Sequence, residues 1–281
     1  MTKPTIDDLQ RLRVDHVVDE RPSRYSWFKF YNKPLSLALG EKIATTELIC
    51  WLDSDILIVS EPSLFSLSEC EDFAACASDK EMGTSGPSDP FEAVWRANCG
   101  ALGLDIDDLP WVTTERDKCK IRLYWNGGVF VYRRVTGFGA HYRDVCERLM
   151  EARNKMNFVD YSIGINEMSA IGIAMHLQKL RYRALPQSHN YSIGSKTYPN
   201  FYREADLRSA CVVHYHDAMW PWFWSTFIEC LRDTHRGVAE WLSPLGPMKN
   251  PATTSSRVIG RLYRFFRSEQ EKRYLKLCSS V

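Results

Sequence analysis

Leu48-Ile49-Cys50-Trp51-Leu52-Asp53-Ser54-Asp55-Ile56-Leu57-Ile58-Val59 is the stretch on which the reading of the whole chain turns. An apolar run meets two carboxylates one residue apart, and a second apolar run follows at once. A short, continuous apolar run predicts a buried central strand. A bare carboxylate inside such a strand is costly. Asp53 and Asp55 are therefore expected at its carboxyl end, in the crevice where open α/β sheets bind ligands. Two carboxylates this close repel each other unless a cation lies between them. The pattern fits a divalent metal with open positions for phosphate oxygens. A polar turn between two strands fits the same residues.

Totals bound the remaining choices. A chain of 281 residues can bury a full core as one domain or one and a half. The formal charge of +1 argues against nucleic acid as a general partner. No apolar run approaches the roughly 20 residues needed to span a bilayer, and Met1 to Glu20 is too polar for a signal peptide. The nine cysteines are scattered, with no C-x-x-C pair, and read as free thiols in a reducing compartment. A cytoplasmic location is expected. The sequon at Asn190-Tyr191-Ser192 then has no consequence.

The run Cys50–Val59 resembles the D-x-D strand of GT-A glycosyltransferases, above all the glycogenin-like and galactosyltransferase-like group. The resemblance implies an α/β fold with a GT-A-like mixed, mainly parallel sheet flanked by helices. It also implies a metal-dependent transfer from a nucleotide-sugar, in the first place a UDP-sugar, to an acceptor hydroxyl on a glycan, lipid or protein. Proteins of this group open with a strand that holds the nucleotide base. Here the first strand-like segment, Val14–Val18, already resembles their second strand. The amino-terminal nucleotide-binding strand is expected to be missing, short or unrecognisable; a missing one would leave an unpaired strand edge.

Further stretches extend the resemblance. Asn32 is expected to cap a helix that starts with Lys33-Pro34 and turns Leu35, Leu39 and Ile43 to one face. In the family a lysine here lies near the donor, so Lys29 and Lys33 are candidates for phosphate contact; a solvated charge at a helix start is the plainer reading. Tyr124 to Tyr132 reads as a strand entered through Asn126-Gly127-Gly128. Two glycines allow close backbone approach or a positive φ, and an asparagine can bond sugar hydroxyls in both directions. A bulge or tight turn at a strand start is the plainer reading. The resemblance places Asn126, Gly127 and Gly128 on the substrate side.

Gly139 to Met156 and Ile165 to Leu177 read as helices. The resemblance implies an acid at the start of the second, facing the transferred sugar. Glu167 matches it, although Met168 stands where the family has Gln, and Asp160 is a second candidate. A helix-start carboxylate is also a routine dipole feature. Pro186 to Tyr191 resembles a donor-side loop and brings in Asn190.

Cys211-Val212-Val213-His214-Tyr215-His216 runs an apolar strand into two histidines. The family has its third metal ligand at the position of His214, with His216 as the alternate. An imidazole beside Asp53 and Asp55 favours Mn²⁺ over Mg²⁺. Where the family continues into Lys-Pro-Trp, this chain has Trp220-Pro221-Trp222, so the leaving diphosphate would need another cation, for which Lys196 and Lys33 are candidates.

Residues 1–243 are expected to form the GT-A-like domain, and 244–281 a linker and a basic amphipathic helix. Arg257 to Leu277 reads as a terminal helix packed on the domain with its basic face in water; the same pattern fits an anionic membrane surface. Two rivals remain. One is a non-catalytic GT-A-like binding domain. The other is a haloacid-dehalogenase-type phosphatase, which also ends a strand in D-x-D but usually follows it with a pair such as Gly-Thr, where this chain has Ile56-Leu57.

Overall fold

The computed structural model describes residues 3–17, 23–153, 163–249 and 253–278. Helix α1 (Lys3–Arg11) precedes α2 (Asn32–Ile43), β1 (Leu48–Leu52), β2 (Ile56–Ile58) and β3 (Phe73–Ala77). Helix α3 (Glu92–Ala101), β4 (Trp111–Thr113), β5 (Lys120–Arg122) and β6 (Trp125–Arg133) follow. Then come α4 (Phe138–Arg153), α5 (Gly164–Leu177), β7 (Tyr182–Leu185), β8 (Tyr191–Ser192) and α6 (Glu204–Ser209). The chain ends through β9 (Val212–His214), α7 (Trp224–Thr234), α8 (Arg236–Leu242) and α9 (Thr254–Cys278).

The main sheet has the order β1-β6-β3-β7. Its strands alternate side chains between two faces. Phe73, Phe130 and Tyr132 enter the large core beneath α2, α4 and α5, whereas Ala74, Cys76 and Val131 pack on the other face with Leu185. A smaller sheet, β2-β9-β8, has its own core, in which Val213 and Tyr215 meet Phe227 and Leu231 of α7. Strands β4 and β5 form a separate hairpin. No helix among the described residues is long and apolar enough to cross a bilayer.

The mixed α/β class agrees with the sequence, and several details differ. The sheet is not mainly parallel: β1 and β3 both run antiparallel to β6, and only the β3–β7 pair is parallel. Strand β1 is not central either. Among the described residues it pairs only with β6 and is half-buried, with Cys50 exposed. Apolar content signals cover on a strand's faces, not a neighbour on each edge, which is why the pattern alone placed it centrally.

Val14 to Val17 form no strand, and Val18 lies outside the described residues. Asn32 makes no capping bond, because a short 3-10 turn (Lys29–Tyr31) already leads into the helix. The face of α2 that packs is Pro34, Leu37 and Ala38, and Ile43 is exposed. Helices α7 and α8 are separated at His235, whose backbone leaves helical geometry. Among the described residues no disulfide joins any of the cysteines.

Helix α9 is only half docked. Tyr274 and Cys278 enter the main core, where Tyr274 packs against Trp27 (ring centroids 5.2 Å apart) and donates to the Met150 carbonyl at 2.7 Å. From Thr254 to Phe266 the residues are exposed except Gly260, so this half does not pack on the domain as expected.

Burial pushes His141, His176, His189, His216 and His235 below the ordinary imidazole value. Below about pH 6.5 the unfolded chain takes up protons at these positions that the folded chain refuses. Stability must therefore fall as the pH drops from 7 towards 4. The urea midpoint is expected to be lower at pH 5 than at pH 7, and equal midpoints would contradict the neutral burial of these rings.

Candidate active site

Asp53-Ser54-Asp55 carries the chain from the main sheet into the smaller one. Its ends are pinned by backbone bonds: Asp53 N–H donates to the Gly128 carbonyl at 2.8 Å, and Tyr215 N–H to the Asp55 carbonyl at 2.9 Å. The Tyr215 hydroxyl donates to the Ser54 carbonyl at 3.2 Å. The antiparallel register of β2 and β9 sets Ile56 opposite His214 and brings the imidazole beside the Asp55 side chain.

Asp55, His214 and His216 offer ligand atoms that all lie within 4.8 Å of one another. Asp55 Oδ2 is 3.2 Å from His214 Nε2 and 3.7 Å from His216 Nδ1. Each imidazole is steadied from behind. His214 Nδ1 lies 3.2 Å from Asn190 Oδ1, and His216 Nε2 lies 2.8 Å from Ser192 Oγ. His214 Nδ1 can donate to that amide oxygen, which leaves Nε2 facing the Asp55 carboxylate. A proton or a cation between Nε2 and the carboxylate makes that contact favourable. Burial and the neighbouring His214 push the His216 imidazole down to about 4, so it is neutral and able to ligate near pH 7. For Asp55, burial raises the carboxyl, but contact with His214 outweighs this and holds it below its ordinary value. This donor set of one carboxylate and two neutral-capable imidazoles suits a borderline divalent ion such as Mn²⁺. His216 adopts φ +45°, an uncommon geometry for a residue other than glycine.

Asp53 has different partners. Its Oδ1 accepts from Trp51 Nε1 at 2.7 Å and lies 3.5 Å from Lys33 Nζ. Lys33 also donates to the Gly127 carbonyl at 2.9 Å and lies 3.4 Å from Glu167 Oε1. It is not a solvated helix-start charge, since its side chain is only 13% exposed. Burial pulls the Lys33 ammonium down, but Glu167 and Asp53 more than offset this and hold it above its ordinary value. Buried Glu167 also accepts from the Tyr142 hydroxyl at 2.6 Å. Asp160 lies outside the described residues.

Both glycines of Asn126-Gly127-Gly128 sit inside β6 without a positive φ, and Asn126 Oδ1 accepts from the Gly128 N–H at 2.9 Å. They make room for side chains. A Cβ on Gly127 would lie 2.9 Å from Lys33 Nζ, and one on Gly128 would lie 2.6 Å from His214 Cε1.

These groups line a cavity of about 680 Å³ that also takes in Lys29, Trp51 and Glu81. A second cavity of about 410 Å³ shares Ser78, Glu81, Asn126 and His216 with it, and is lined on its far side by Arg116, Lys196 and Asp217. The structure thus brings together Lys33, Asp53, Asp55, Asn126, Gly127, Gly128, Glu167 and His214 around one space, with Asn190 behind His214. Sequence reasoning missed Arg116, Tyr142 and Trp51. Nothing local marks the first two. The Trp51–Asp53 spacing, which puts both side chains on one side of an extended chain, is the signal that could have found the third.

A family model described as the Rhodobacterales glycosyltransferase domain matches residues 1–160. That is more than half of the 281 residues, and the chain belongs to this family. The protein is accordingly a glycosyltransferase by family, which removes the phosphatase alternative. The matched part contains Lys33, Asp53, Asp55 and Asn126-Gly127-Gly128 and ends before Glu167, Asn190 and His214. Among solved structures, the chain is similar to the WbbM bifunctional glycosyltransferase in its apo form, at 12% identity and a TM-score of 0.35. The similarity covers 73% of this chain and 35% of that one, so this chain spans about a third of that protein's length. No curated protein matches the sequence.

Gly128→Ala must displace the His214 ring and is expected to cost about 1–3 kcal/mol in urea unfolding. Gly40→Ala, on α2 with nothing within 4 Å of the added methyl, is the control and is expected to be neutral or stabilising. Equal effects would show that Gly128 is not fixed by His214.

Proposed function

We propose that the chain transfers a sugar from a nucleotide-sugar, in the first place a UDP-sugar, to an acceptor hydroxyl, with a GT-A-type site and a divalent cation, preferably Mn²⁺. The observation that carries this reading is the meeting, around one cavity, of the Asp55–His214–His216 cluster with the Asp53–Lys33–Glu167 chain. Asp55, His214 and His216 would hold the cation, with Asp53 within reach of the same space. The cation would supply positive charge against the diphosphate as it leaves.

The chain's own residues supply the rest. Lys33 is fixed between two carboxylates and fits a sugar-positioning role better than that of a free phosphate clamp. Lys196, exposed on the wall shared with His216 and Asp217, is the better candidate for the leaving diphosphate, assisted by Arg116. Asn126 lines both cavities and can bond sugar hydroxyls from either. Glu167, buried and held by Tyr142 and Lys33, is placed to oppose the positive charge that develops on the transferred sugar. A proton acceptor for an incoming hydroxyl would sit nearer water, and Glu81, shared by the two cavities, fits that place. The acceptor would enter beside Glu81, where the two cavities meet. Its class, whether glycan, lipid or protein, follows from whatever fills that space.

Calorimetric titration of UDP with and without Mn²⁺ tests the reading. Binding that needs Mn²⁺ and is lost in Asp55→Ala and in His216→Ala is the expected result. A well-folded wild type that binds no UDP under either condition would leave a non-catalytic sugar- or partner-binding domain as the correct description. Glu167→Gln is expected to keep UDP binding while slowing donor hydrolysis about 10²–10³-fold, the cost of removing one preorganised electrostatic group.

A further inference from the structure

We infer that the amino-terminal half of α9 is a docking element for an anionic lipid surface. An ordinary terminal helix turns its apolar stripe to the domain. This one does the reverse. At about 100° per residue, Val258, Ile259, Leu262, Phe265 and Phe266 fall within about 120° of arc. Tyr274 and Cys278, the residues that enter the core, project from the opposite side of the same helix. Ile259 and Phe266 are 66% and 62% exposed, and the rest of the stripe is at least half exposed. The stripe therefore faces away from the body, on a half-helix with no packed side.

The charge pattern selects the occupant. From Thr253 to Ser268 there is no acidic residue, and Arg257, Arg261 and Arg264 fall together along one flank of the stripe. A second copy of this helix would bring arginines against arginines with no carboxylate in the segment to pair them. A surface of anionic headgroups over an apolar interior meets both requirements: apolar side chains enter the acyl boundary while the flanking guanidinium groups bond phosphates. The docked half fixes the position of this element. Arg267 Nε donates to the Trp27 carbonyl at 2.8 Å, and Tyr274 is anchored in the core.

Co-sedimentation of the full chain with vesicles tests the inference. Vesicles of phosphatidylcholine alone are compared with vesicles containing phosphatidylglycerol, at low and high salt. Binding at least tenfold stronger to the anionic vesicles, and weakened by salt, is expected. Arg257→Glu/Arg261→Glu/Arg264→Glu and Leu262→Ser/Phe266→Ser should each lower it at least tenfold. Both variants alter exposed positions and should keep the wild-type melting temperature and UDP titration, which separates this result from the fate of the transferase reading. No binding of wild type to anionic vesicles would overturn the inference, as would binding that both variants retain. A concentration-dependent dimer that Leu262→Ser/Phe266→Ser abolishes, without vesicle binding, would assign the stripe to a second copy instead.

Discussion

The site depends on one crossing. Within three residues the chain leaves one sheet and joins another, and both ends of that step are fixed by backbone hydrogen bonds. Side chains on a strand alternate faces, so a slip of one residue on either side would turn Asp53 or Asp55 away. The β1–β6 pairing brings Asp53 to Gly128, and the β2–β9 pairing brings Asp55 to His214. Two cores that could otherwise pack independently are thereby locked at the point where their polar groups must converge. Gly127 and Gly128 serve the same constraint from β6, since a methyl group at either would push Lys33 or His214 out of place.

The parts of this arrangement legible in the sequence were those whose signal is local. Asp53-x-Asp55, Asn126-Gly127-Gly128 and the histidines at the end of β9 each interrupt an apolar strand with polar or small residues, and the structure gathers all three around one cavity. Pairing direction and strand order were not legible, because periodicity reports which faces are covered and not which neighbour covers them. The division of labour between the two aspartates was hidden for a related reason. It is decided by Lys33, Trp51 and Glu167 on one side and by two imidazoles on the other. Lys33 in particular read as a wet helix-start charge, since nothing near it in sequence announces the Glu167 carboxylate that buries with it.

The aromatic segment that precedes α2 has two uses that its composition did not separate. Tyr25 and Trp27 form the seat on which Tyr274 of α9 packs. A few residues later Lys29, Phe30 and Lys33 form part of the cavity wall. The outer helix and the polar site are thus attached to opposite ends of one short stretch of chain, so the orientation of α9 and that of the cavity mouth are not independent.

Charge balance sets the order in which such a site can fill. Lys29 and Lys33 face four carboxylates around the cavity, Asp53, Asp55, Glu81 and Glu167, while His216 is held neutral. The carboxylates of the wall therefore outnumber its lysines in a partly desolvated space. Water screens such charges poorly there, and a diphosphate arriving alone would add like charge to like. Lys33 cannot relieve this, because both of its neighbouring carboxylates already draw on it. Asp55 Oδ2 and His214 Nε2 face each other at 3.2 Å, at the place where a compensating positive charge would have the closest contacts. In the proposed transferase reading, the diphosphate would on these grounds enter together with a divalent cation and not ahead of it.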